Sequence, residues 1–496
     1  MATKSIPESH AIKQAESPSS HPNLVLAICC ISVFIAGMDA SILNVALPSI
    51  QKDFQASIAG AQWSLDAYTL VIACLLMLSS STADRVGRRR IFQLGLGIFS
   101  LGSLLCSLAP SIGWFIAFRM MQAVGGSMLN PVAMSIISNT FLDPKARARA
   151  VGVWGSVAGI SIAAGPILGG TLVNSIGWRS IFWINVPIGI IVLLLAARFV
   201  PESKAPHARR FDPIGQIFVI ALLGLLIYGI IEVPAHGWGS FEILACLIGA
   251  AVFFVALIAY ERVRKEPLID IRFFRSIPFS GAAVIALCAF MALNGFLILN
   301  TLYLQDIQHF SPLQAGAAFL PMAVLMAIFS PISGRVVGRY GSRGPLLIGG
   351  SAIAIAGLLA AIQASSPSMI GLYTSYALIG SGIGWVNAAI SNTALSGMPR
   401  SQSGVAAGIA STMRQLGAAL GVAIIGSVIA SHVTQLAASS EFTDAYRISW
   451  SIIAGCGVAA LVLGFITTGA WAKRTASRNA ERMRQKAMAL ELDATI

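Results

Sequence analysis

Apolar stretches of 18 or more residues recur along almost the whole chain, separated by short polar segments. A stretch of that length crosses about 30 Å of hydrocarbon as an α-helix. The pattern predicts fourteen spans, at 24–47, 61–82, 91–109, 113–140, 149–173, 180–199, 213–232, 239–261, 278–304, 314–336, 345–363, 369–391, 403–430 and 447–472. We therefore expect an all-α polytopic membrane protein.

The composition agrees with a chain that lies mostly in lipid. Of its 496 residues, 56% are hydrophobic and 11% are charged, whereas roughly a quarter of the residues in a soluble domain are charged. A soluble fold of this length needs more polar surface than these residues provide. Most of the helices must therefore face lipid or other apolar helices.

The basic residues are distributed unevenly between the two sets of alternating loops. Of the 33 Lys and Arg residues, 28 lie in one set of loops, the two tails and the adjoining span ends; the other set holds Lys52, Arg179 and Arg447, and Arg119 and Arg414 fall inside spans. Cytoplasmic loops carry such an excess. We therefore expect a multi-pass protein of the inner (cytoplasmic) membrane with both termini in the cytoplasm. The net charge of +13 then reflects topology, and we expect no nucleic-acid partner.

Two loops share a short pattern that indicates an internal repeat. SSSTADRVGRRR (79–90) follows the second span and SGRVVGRYGSR (333–343) follows the tenth, and aligning Gly87 with Gly341 also aligns two arginines. Repeated halves are typical of secondary transporters. The expected organisation is a cytoplasmic tail at 1–23, an N-terminal six-helix bundle at 24–200, two additional central transmembrane helices with linkers at 201–277, a C-terminal six-helix bundle at 278–473 and a basic tail at 474–496.

The two tails carry little further information. The polar first 22 residues show no secretory signal peptide, because no charged segment precedes a cleavable apolar one. The basic C-terminal tail either lies on anionic membrane lipid or is simply solvated on the cytoplasmic side.

Three ionisable side chains lie well inside the apolar spans of the N-terminal bundle, in its outer half. Asp39 is near the centre of VFIAGMDASILNVALP, Asp66 lies in the second span and Arg119 in the fourth. At a rise of 1.5 Å per residue they lie about 12, 8 and 9 Å below the external face, so we expect them in one layer of the N-terminal bundle. A charge facing lipid there would cost at least about 2.5–3.5 kcal/mol. These side chains should therefore pair with one another or line a wet cavity.

A carboxylate in that layer can be titrated. Burial disfavours its charged form and a neighbouring arginine favours it, so proton binding depends on the arrangement of the helices. A proton and a bound cation would compete for the same carboxylate, as antiport requires. Gln122 shares a helix face with Arg119 and should hydrogen-bond into the layer. A purely structural Asp–Arg pair is the alternative, and for Asp66 so is a position among lipid headgroups.

Three motifs resemble, in order, signature motifs of the major facilitator superfamily. They are ADRVGRRR (83–90), RMMQAVGG (119–126) and GSVAGISIAAGPILGG (155–170). The resemblance covers the chain from about residue 24 to 473. Small residues replace family glycines at three positions, Ser80, Ala123 and Ser161.

Further segments are similar to one branch of that superfamily, the fourteen-span drug:proton antiporters of the quaternary-ammonium efflux type. They are MDASILNVALP (38–48), WRSIFWINVPIG (178–189) and STMRQLGAALGVA (411–423). The resemblance implies two six-helix bundles with two additional helices between them. It also implies a proton-coupling role for Asp39 and Arg119, and an aspartate at the position of Asp66 is typical of the quaternary-ammonium pumps.

The motifs also imply a gate. By resemblance, the loop residues Asp84, Arg85, Gly87 and Arg88 form a cytoplasmic gate in which Asp84, near a helix N-terminus, pairs with an arginine in one conformation only. Gly165–Pro166 is expected to kink the fifth span and, by resemblance, to act in sealing or hinge motion. Alternatively, the loop serves membrane topology alone and the proline serves packing.

The C-terminal bundle contains candidates for the lining of a substrate cavity. They are its aromatic and polar residues Asn294, Tyr303, Phe319, Tyr373, Tyr376, Trp385 and Asn387. Cation–π contacts would suit quaternary ammonium groups. Aromatic residues near span ends also form belts at the membrane interface, which is the alternative for these side chains.

No sequence motif indicates an enzyme or a cofactor site. The chain has no G-x-x-x-x-G-K-[ST] phosphate loop and no H-E-x-x-H metal motif. Its seven cysteines lie within predicted spans, without His or acidic residues at ligand spacing. We expect neither an enzyme nor a metal or cofactor site.

The sequence thus predicts a proton-coupled antiporter that exports lipophilic, cationic drugs or toxic compounds by alternating access. Its partners would be small-molecule substrates, protons and membrane lipid, and the sequence leaves open whether a periplasmic adaptor protein joins them. One alternative is a proton-linked exporter of a specific metabolite or antibiotic. Another, of a different class, is a membrane receptor that transports nothing.

Overall fold

Helices make up nearly all of the described part of the chain. The computed structural model describes residues 21–204, 212–264, 271–365, 368–396, 398, 403–432, 439–472, 474–479 and 481, and these contain helices and turns but no β-strand. Most of both predicted tails, parts of the linkers at 205–211 and 265–270, and Arg400 lie outside the described residues. The all-helical class expected from the sequence is therefore confirmed for the described part of the chain.

The helices follow the predicted spans closely. Their bounds are α1 Pro22–Phe54, α2 Ile58–Val86, α3 Arg88–Ser107, α4 Ile112–Thr140, α5 Pro144–Ser175, α6 Ser180–Trp183, α7 Asn185–Phe199, α8 Pro213–His236, α9 Phe241–Val263, α10 Ile277–Leu302, α11 Pro312–Ala318, α12 Leu320–Tyr340, α13 Arg343–Ile362, α14 Met369–Leu395, α15 Ser403–His432 and α16 Ser439–Thr467. A π-helical turn at Tyr303–Ile307 extends α10. Short 3₁₀ turns lie at Ile271–Arg275 and Gln363–Ser365.

Thirteen helical segments of the described chain are long and apolar enough to cross a membrane. Among them, α6 with α7 and α11 with α12 each form one segment, although each is interrupted once. The interruptions lie next to Pro187 and Pro321, which have no N–H to continue the helical hydrogen-bond ladder. The 29-residue α4, which carries Arg119 and Gln122, is not one of the thirteen.

The helices before α8 pack against one another around α1 and α4. α1 lies against α5, α4 and α7, while α4 also contacts α2 and α3. After α9, α10 contacts α14, α15 and α16, and α13 packs between α14 and α16. α8 and α9 pack together, and α8 also contacts α2 and α15.

Two glycines mark equivalent helix ends. Gly87 ends α2 with φ 129° and Gly341 ends α12 with φ 85°. Residues with a Cβ atom rarely adopt these φ angles, so glycine is favoured at both positions. The shared conformation agrees with the repeat inferred from the loop sequences. We call the end of the molecule that carries the loops at 85–90 and 335–343 the basic end.

The opposite end is closed by close backbone contact between α5 and α11. A Cβ added at Gly170 would lie 2.9 Å from Leu313 Cα, and one added at Gly316 would lie 2.9 Å from the carbonyl carbon of Pro166. Nearby, Gln305 Nε2 donates a hydrogen bond of 2.8 Å to the Val45 carbonyl oxygen. The absence of side chains at the two glycines therefore permits this end to close.

A bulky residue in this contact should prevent closure. We expect Gly316→Leu to increase the reactivity of a cysteine introduced at Gln305 toward a membrane-impermeant maleimide, because α5 and α11 are held apart. Gly455→Leu is the matched control, since no atom lies within 4 Å of a Cβ built there. Equal labelling rates in the two backgrounds would show that the α5–α11 contact does not close this end.

Candidate functional site

A cavity of about 1690 Å³ lies between the helices that precede α8 and those that follow α9. Residues of α1, α2, α4 and α5 line one side, and residues of α10, α12, α14 and α15 line the other. Arg88, Arg149 and Arg335 line it toward the basic end, whereas the α5–α11 contact lies at the opposite end. The cavity therefore extends to the basic end, and among the described residues the α5–α11 contact lies at its other end.

Asp39 and Arg119 form a fully buried ion pair behind the wall of this cavity. Arg119 Nη1 lies 2.7 Å from Asp39 Oδ2, and each side chain is 1% exposed. Gln122 Nε2 donates to Asp39 Oδ1 at 2.9 Å, and Gln122 Oε1 accepts from Arg119 Nη1 at 2.6 Å. The structure thus joins three of the four residues that the sequence grouped in one layer.

Two further side chains complete this network, and sequence analysis missed both. Asn185 Nδ2 donates to Asp39 Oδ1 at 2.8 Å and also lies 3.1 Å from Ser103 Oγ. The Ser103 hydroxyl donates to the Phe182 carbonyl oxygen at 3.0 Å. The network therefore connects α1 and α4 with α3, α6 and α7. An asparagine inside an apolar span, two residues before Pro187, was the available signal for Asn185.

Tyr68 separates the ion pair from the cavity. Its ring lies under the Arg119 guanidinium, 4.1 Å from the guanidinium carbon to the ring centre, and Tyr68 also lines the cavity. Its buried hydroxyl has no hydrogen-bond partner among the described residues. A cation stacked on an aromatic ring is attracted to it, so Tyr68 holds Arg119 in place from the cavity side.

Asp66 is buried on another side of α2 and does not join the Asp39–Arg119 network, which corrects the expectation that the three side chains meet. It is 0% exposed, and neither carboxylate oxygen has a hydrogen-bond partner in the described part of the chain. Gln62, one helical turn earlier, donates to the Val422 and Ala423 carbonyl oxygens of α15, both at 3.4 Å. Asp66 therefore lies on the face of α2 that turns toward α15.

The physical reason is rotation about the axis of α2. Tyr68 contacts Arg119, and a residue two positions away lies about 200° around the helix, at 3.6 residues per turn. Asp66 consequently points away from α4, although its depth in the membrane is similar. A depth estimated from residue numbers does not specify the direction of a side chain around the helix axis.

The predicted loop residues form a polar cluster at the basic end. Arg88 Nη2 lies 2.8 Å from Asp84 Oδ1, while Arg85 is exposed in the last turn of α2. The expected position of Asp84 near a helix N-terminus is only partly right, because Asp84 belongs to the end of α2. Its carboxylate instead binds the side chain of the first residue of α3.

Glu202 and Ser203 belong to this cluster and were not predicted from the sequence. Glu202 Oε1 accepts from the Arg89 backbone N–H at 3.1 Å, at the positive end of the α3 dipole. A Cβ at Gly87 would lie 2.6 Å from that carboxylate oxygen. Ser203 accepts the Arg88 backbone N–H through its carbonyl oxygen at 2.9 Å. The segment after α7 thus fastens the loop between α2 and α3.

Gly165 and Pro166 lie where α5 crosses α1 and α11. A Cβ at Gly165 would lie 2.9 Å from the Ile42 backbone nitrogen of α1. The Pro166 carbonyl group faces Gly316 of α11. α5 continues as one helix through the proline. These residues therefore lie in the contact that closes the end opposite the basic end.

Only two of the seven candidate cavity residues line the cavity, Asn294 and Asn387. The other five, all aromatic, pack in ring contacts instead, and the prediction for them is corrected for this conformation. Tyr376, whose hydroxyl donates to Asn300 Oδ1 at 2.8 Å, stacks on Phe319. The remaining pairs are Tyr303 with Tyr446, Tyr373 with Tyr376, and Trp385 with Phe329.

A protein family and several known proteins resemble this chain in sequence. The sequence profile of the Major Facilitator Superfamily matches residues 29–422. The chain is 37% identical over 407 residues to the Multidrug resistance protein Stp of Mycobacterium tuberculosis, covering 82% of this chain and 76% of Stp. It is 32% identical over 425 residues to the Tetracenomycin C resistance and export protein of Streptomyces glaucescens, covering 84% and 79% of the two chains.

A solved structure shares the fold. It is the crystal structure of a bacterial homologue of the human lysosomal transporter Spinster, in an inward-facing and unoccupied conformation. The TM-score is 0.60 at 19% sequence identity, with 93% of this chain and 98% of that chain covered. At this identity the likeness concerns the fold alone.

Loss of Asn185 should weaken the Asp39 network. We expect Asn185→Ala to lower the free energy of unfolding by about 1.5–3 kcal/mol, because one hydrogen bond to a buried charged group is removed. The measurement is the thermal unfolding midpoint of the purified protein in detergent. Asn139→Ala is the control, since Asn139 is exposed and, among the described residues, bonds to the Ser135 carbonyl oxygen of its own helix alone. An equal midpoint in both variants would contradict the expectation.

Proposed function

The chain belongs to the Major Facilitator Superfamily, and on that premise we propose that it is a proton-coupled antiporter that exports lipophilic compounds by alternating access. It is a multi-pass membrane transporter with drug-resistance and antibiotic-export proteins among its relatives. The observation that carries the proposal is the Asp39–Arg119 pair, buried one side chain away from the cavity.

In our proposal, Asp39 is the residue that exchanges a proton. Arg119, Gln122 and Asn185 all donate hydrogen bonds to it. Charge-assisted bonds of this kind are about twice as strong as neutral ones. Protonation would weaken all three contacts at once and would loosen α1 from α4 and α7. In our proposal, that change favours the conformation open at the opposite end.

The two ends of the molecule suit such an alternation. The α5–α11 contact closes one end, and the loop cluster around Asp84 and Arg88 lies beside the open end. We propose that Arg85, Gly87 and Arg88 act with Asp84 as a gate at the basic end. Gly165 and Pro166 would act in closure of the other end. A protein can alternate between closure at one end and closure at the other because packed interfaces are bistable.

We propose fourteen spans arranged as six, two and six. The 29-residue α4 would complete the thirteen apolar segments, since Arg119 is neutralised by Asp39 and Gln122 is hydrogen-bonded within the protein. α8 and α9 would be the additional pair, in agreement with the contacts of α8 with α2 and α15. The excess of basic residues at one end supports a cytoplasmic location of that end and of both termini.

The charge of the cargo is a separate question. The expected cationic cargo depended on Asp39 and Asp66 as binding residues, and neither carboxylate lines the cavity in this conformation. The proposal of proton coupling therefore concerns Asp39, Arg119 and Gln122, and Asp66 is proposed as a second titratable group at the α2–α15 contact.

A second candidate function is export of one specific antibiotic or metabolite. The 32%-identical relative named for tetracenomycin C resistance and export favours it. A screen of chemically diverse compounds in everted membrane vesicles separates the two candidates, because a dedicated exporter moves one chemical class and a multidrug exporter moves several.

Neutralising Asp39 should uncouple transport from protons. In everted vesicles with an imposed pH gradient, we expect Asp39→Asn to reduce uphill transport to background. Exchange of cargo at equal concentrations, which needs no net proton movement, should persist. Asp39→Glu keeps the charge and should retain partial uphill transport.

Asp53→Asn is the matched control for this experiment, because Asp53 pairs with Arg179 while 43% exposed. The exchange assay distinguishes loss of proton coupling from misfolding, because a misfolded variant loses both cargo exchange and uphill transport. Full uphill transport by Asp39→Asn would refute the coupling role.

The orientation can be tested with introduced cysteines. Gly239→Cys and Gly344→Cys both add a side chain where no atom lies within 4 Å of the new Cβ. In intact cells we expect a membrane-impermeant maleimide to label the first and not the second, with the reverse in everted vesicles. The opposite pattern would place the basic end outside.

A further inference from the structure

Arg414 places a guanidinium group in the wall of the central cavity. It lies on α15, eleven residues after the helix begins at Ser403, about 16 Å along the axis at 1.5 Å per residue. Its Nη2 donates to Ser391 Oγ at 3.0 Å, and its guanidinium carbon lies 6.0 Å from the Phe290 ring centre. A guanidinium has five N–H donors and remains charged. The hydrogen bond to Ser391 uses one of them, and it is the one hydrogen bond that the described residues give Arg414.

The acidic residues of the cavity are already paired with other cations. Asp84 lies 2.8 Å from Arg88, and Asp212 lies 3.7 Å from Arg264. No acidic side chain in the described part of the chain forms an ion pair with Arg414. In the described part of the chain, the cavity therefore presents one deep cation without a protein counter-ion.

The remaining charged residues along the cavity increase the positive potential. Arg149 and Arg335 line it near the basic end and are exposed there. Asp39, the buried acid of the first helix, is bound to Arg119 behind Tyr68 and does not reach the cavity. An anion entering from the basic end would thus meet positive charge at the mouth and again at Arg414.

A structural role explains the hydrogen bond of Arg414 but not its charge. A glutamine could join α15 to α14 through Ser391 without placing an ionised group at membrane depth, where a charge is costly. Such groups are usually paired or belong to a substrate pathway. Because the described residues provide no pair, the counter-charge must come from what enters the cavity.

The surroundings of Arg414 define the rest of the ligand. Amide and hydroxyl groups of Asn294, Asn387, Ser411 and Gln415 line the same cavity, with apolar side chains beside them. We propose that Arg414 is the anion-recognition residue of the cargo site, and that the cargo is an amphiphile with one carboxylate, sulfonate or ionised phenol group on an apolar body. Arginine binds such groups through parallel N–H donors. This assignment rests on the proposed export function and replaces the cationic cargo expected from the sequence.

The test is equilibrium binding to the full-length protein in lipid nanodiscs, with empty nanodiscs subtracted. The probes are 1-anilinonaphthalene-8-sulfonate, the neutral analogue N-phenyl-1-naphthylamine and the cation tetraphenylphosphonium. We expect Arg414→Gln to weaken binding of the sulfonate about 10- to 100-fold, as loss of hydrogen bonds to a charged group implies. Binding of the neutral analogue should change less than about twofold, and Arg414→Lys should keep part of the preference for the sulfonate.

Arg447→Gln is the control, because Arg447 is exposed in α16 and bonds to Ser365 at the closed end. Equal loss of both naphthalene probes in Arg414→Gln would overturn the proposal, since it would indicate a structural role. Tighter binding of tetraphenylphosphonium than of the sulfonate by the unmodified protein would also overturn it, even if Arg414→Gln does not fold. Binding needs no proton gradient, so failure of pH-driven transport would refute the antiport proposal and leave this site standing.

Discussion

The ion pair between Asp39 and Arg119 is the interaction on which the N-terminal helices depend. Two charges that are 1% exposed inside an apolar bundle are tolerated only when each neutralises the other and further hydrogen bonds reach the carboxylate. Gln122 and Asn185 supply those bonds to the carboxylate, and Tyr68 covers the guanidinium. The requirement fixes how α1, α3, α4 and α7 lie against one another. In the proposed mechanism, protonation of Asp39 alters that arrangement.

Small residues provide the second constraint. At Gly170 and Gly316 the backbones of α5 and α11 are so close that a side chain would collide with the neighbouring main chain. This contact closes the end opposite the basic end, while the cavity opens toward the basic one. The same chain therefore carries a tight contact at one end and polar, ion-paired loops at the other. Apolar and ion-paired contacts respond differently to charge, which is a suitable basis for alternating access.

The cavity and the coupling network are separate parts of the molecule in this conformation. Protons would act on Asp39, which is screened from the cavity by Tyr68. Cargo would meet a wall of amide, hydroxyl and apolar side chains with Arg414 as its deep charge. Communication between the two parts then requires movement of α1 or α2, because both helices line the cavity and contact α4.

Much of the architecture could be predicted from the sequence. Apolar length and the uneven basic residues are local properties, so they identified the helices and the expected orientation without tertiary information. The pairing of Asp39, Arg119 and Gln122 was also predictable, because an ionised group in lipid needs a partner and these residues lie at similar depth. Asp66 shows the limit of that reasoning, since depth does not specify the side of the helix. The aromatic candidates show it as well: Phe319 and Tyr376 pack on each other rather than around a ligand.

The sequence by itself determined which segments are helices and which charges need partners, since each follows from the chemistry of neighbouring residues. Only the tertiary structure decided which partners those charges find, that Asn185 and Tyr68 join the network, and that Arg414 rather than Asp66 faces the cavity. These features depend on the rotation of each helix about its axis and on contacts between residues far apart in the chain. Packing of the whole set of helices determines that rotation, and no single segment encodes it.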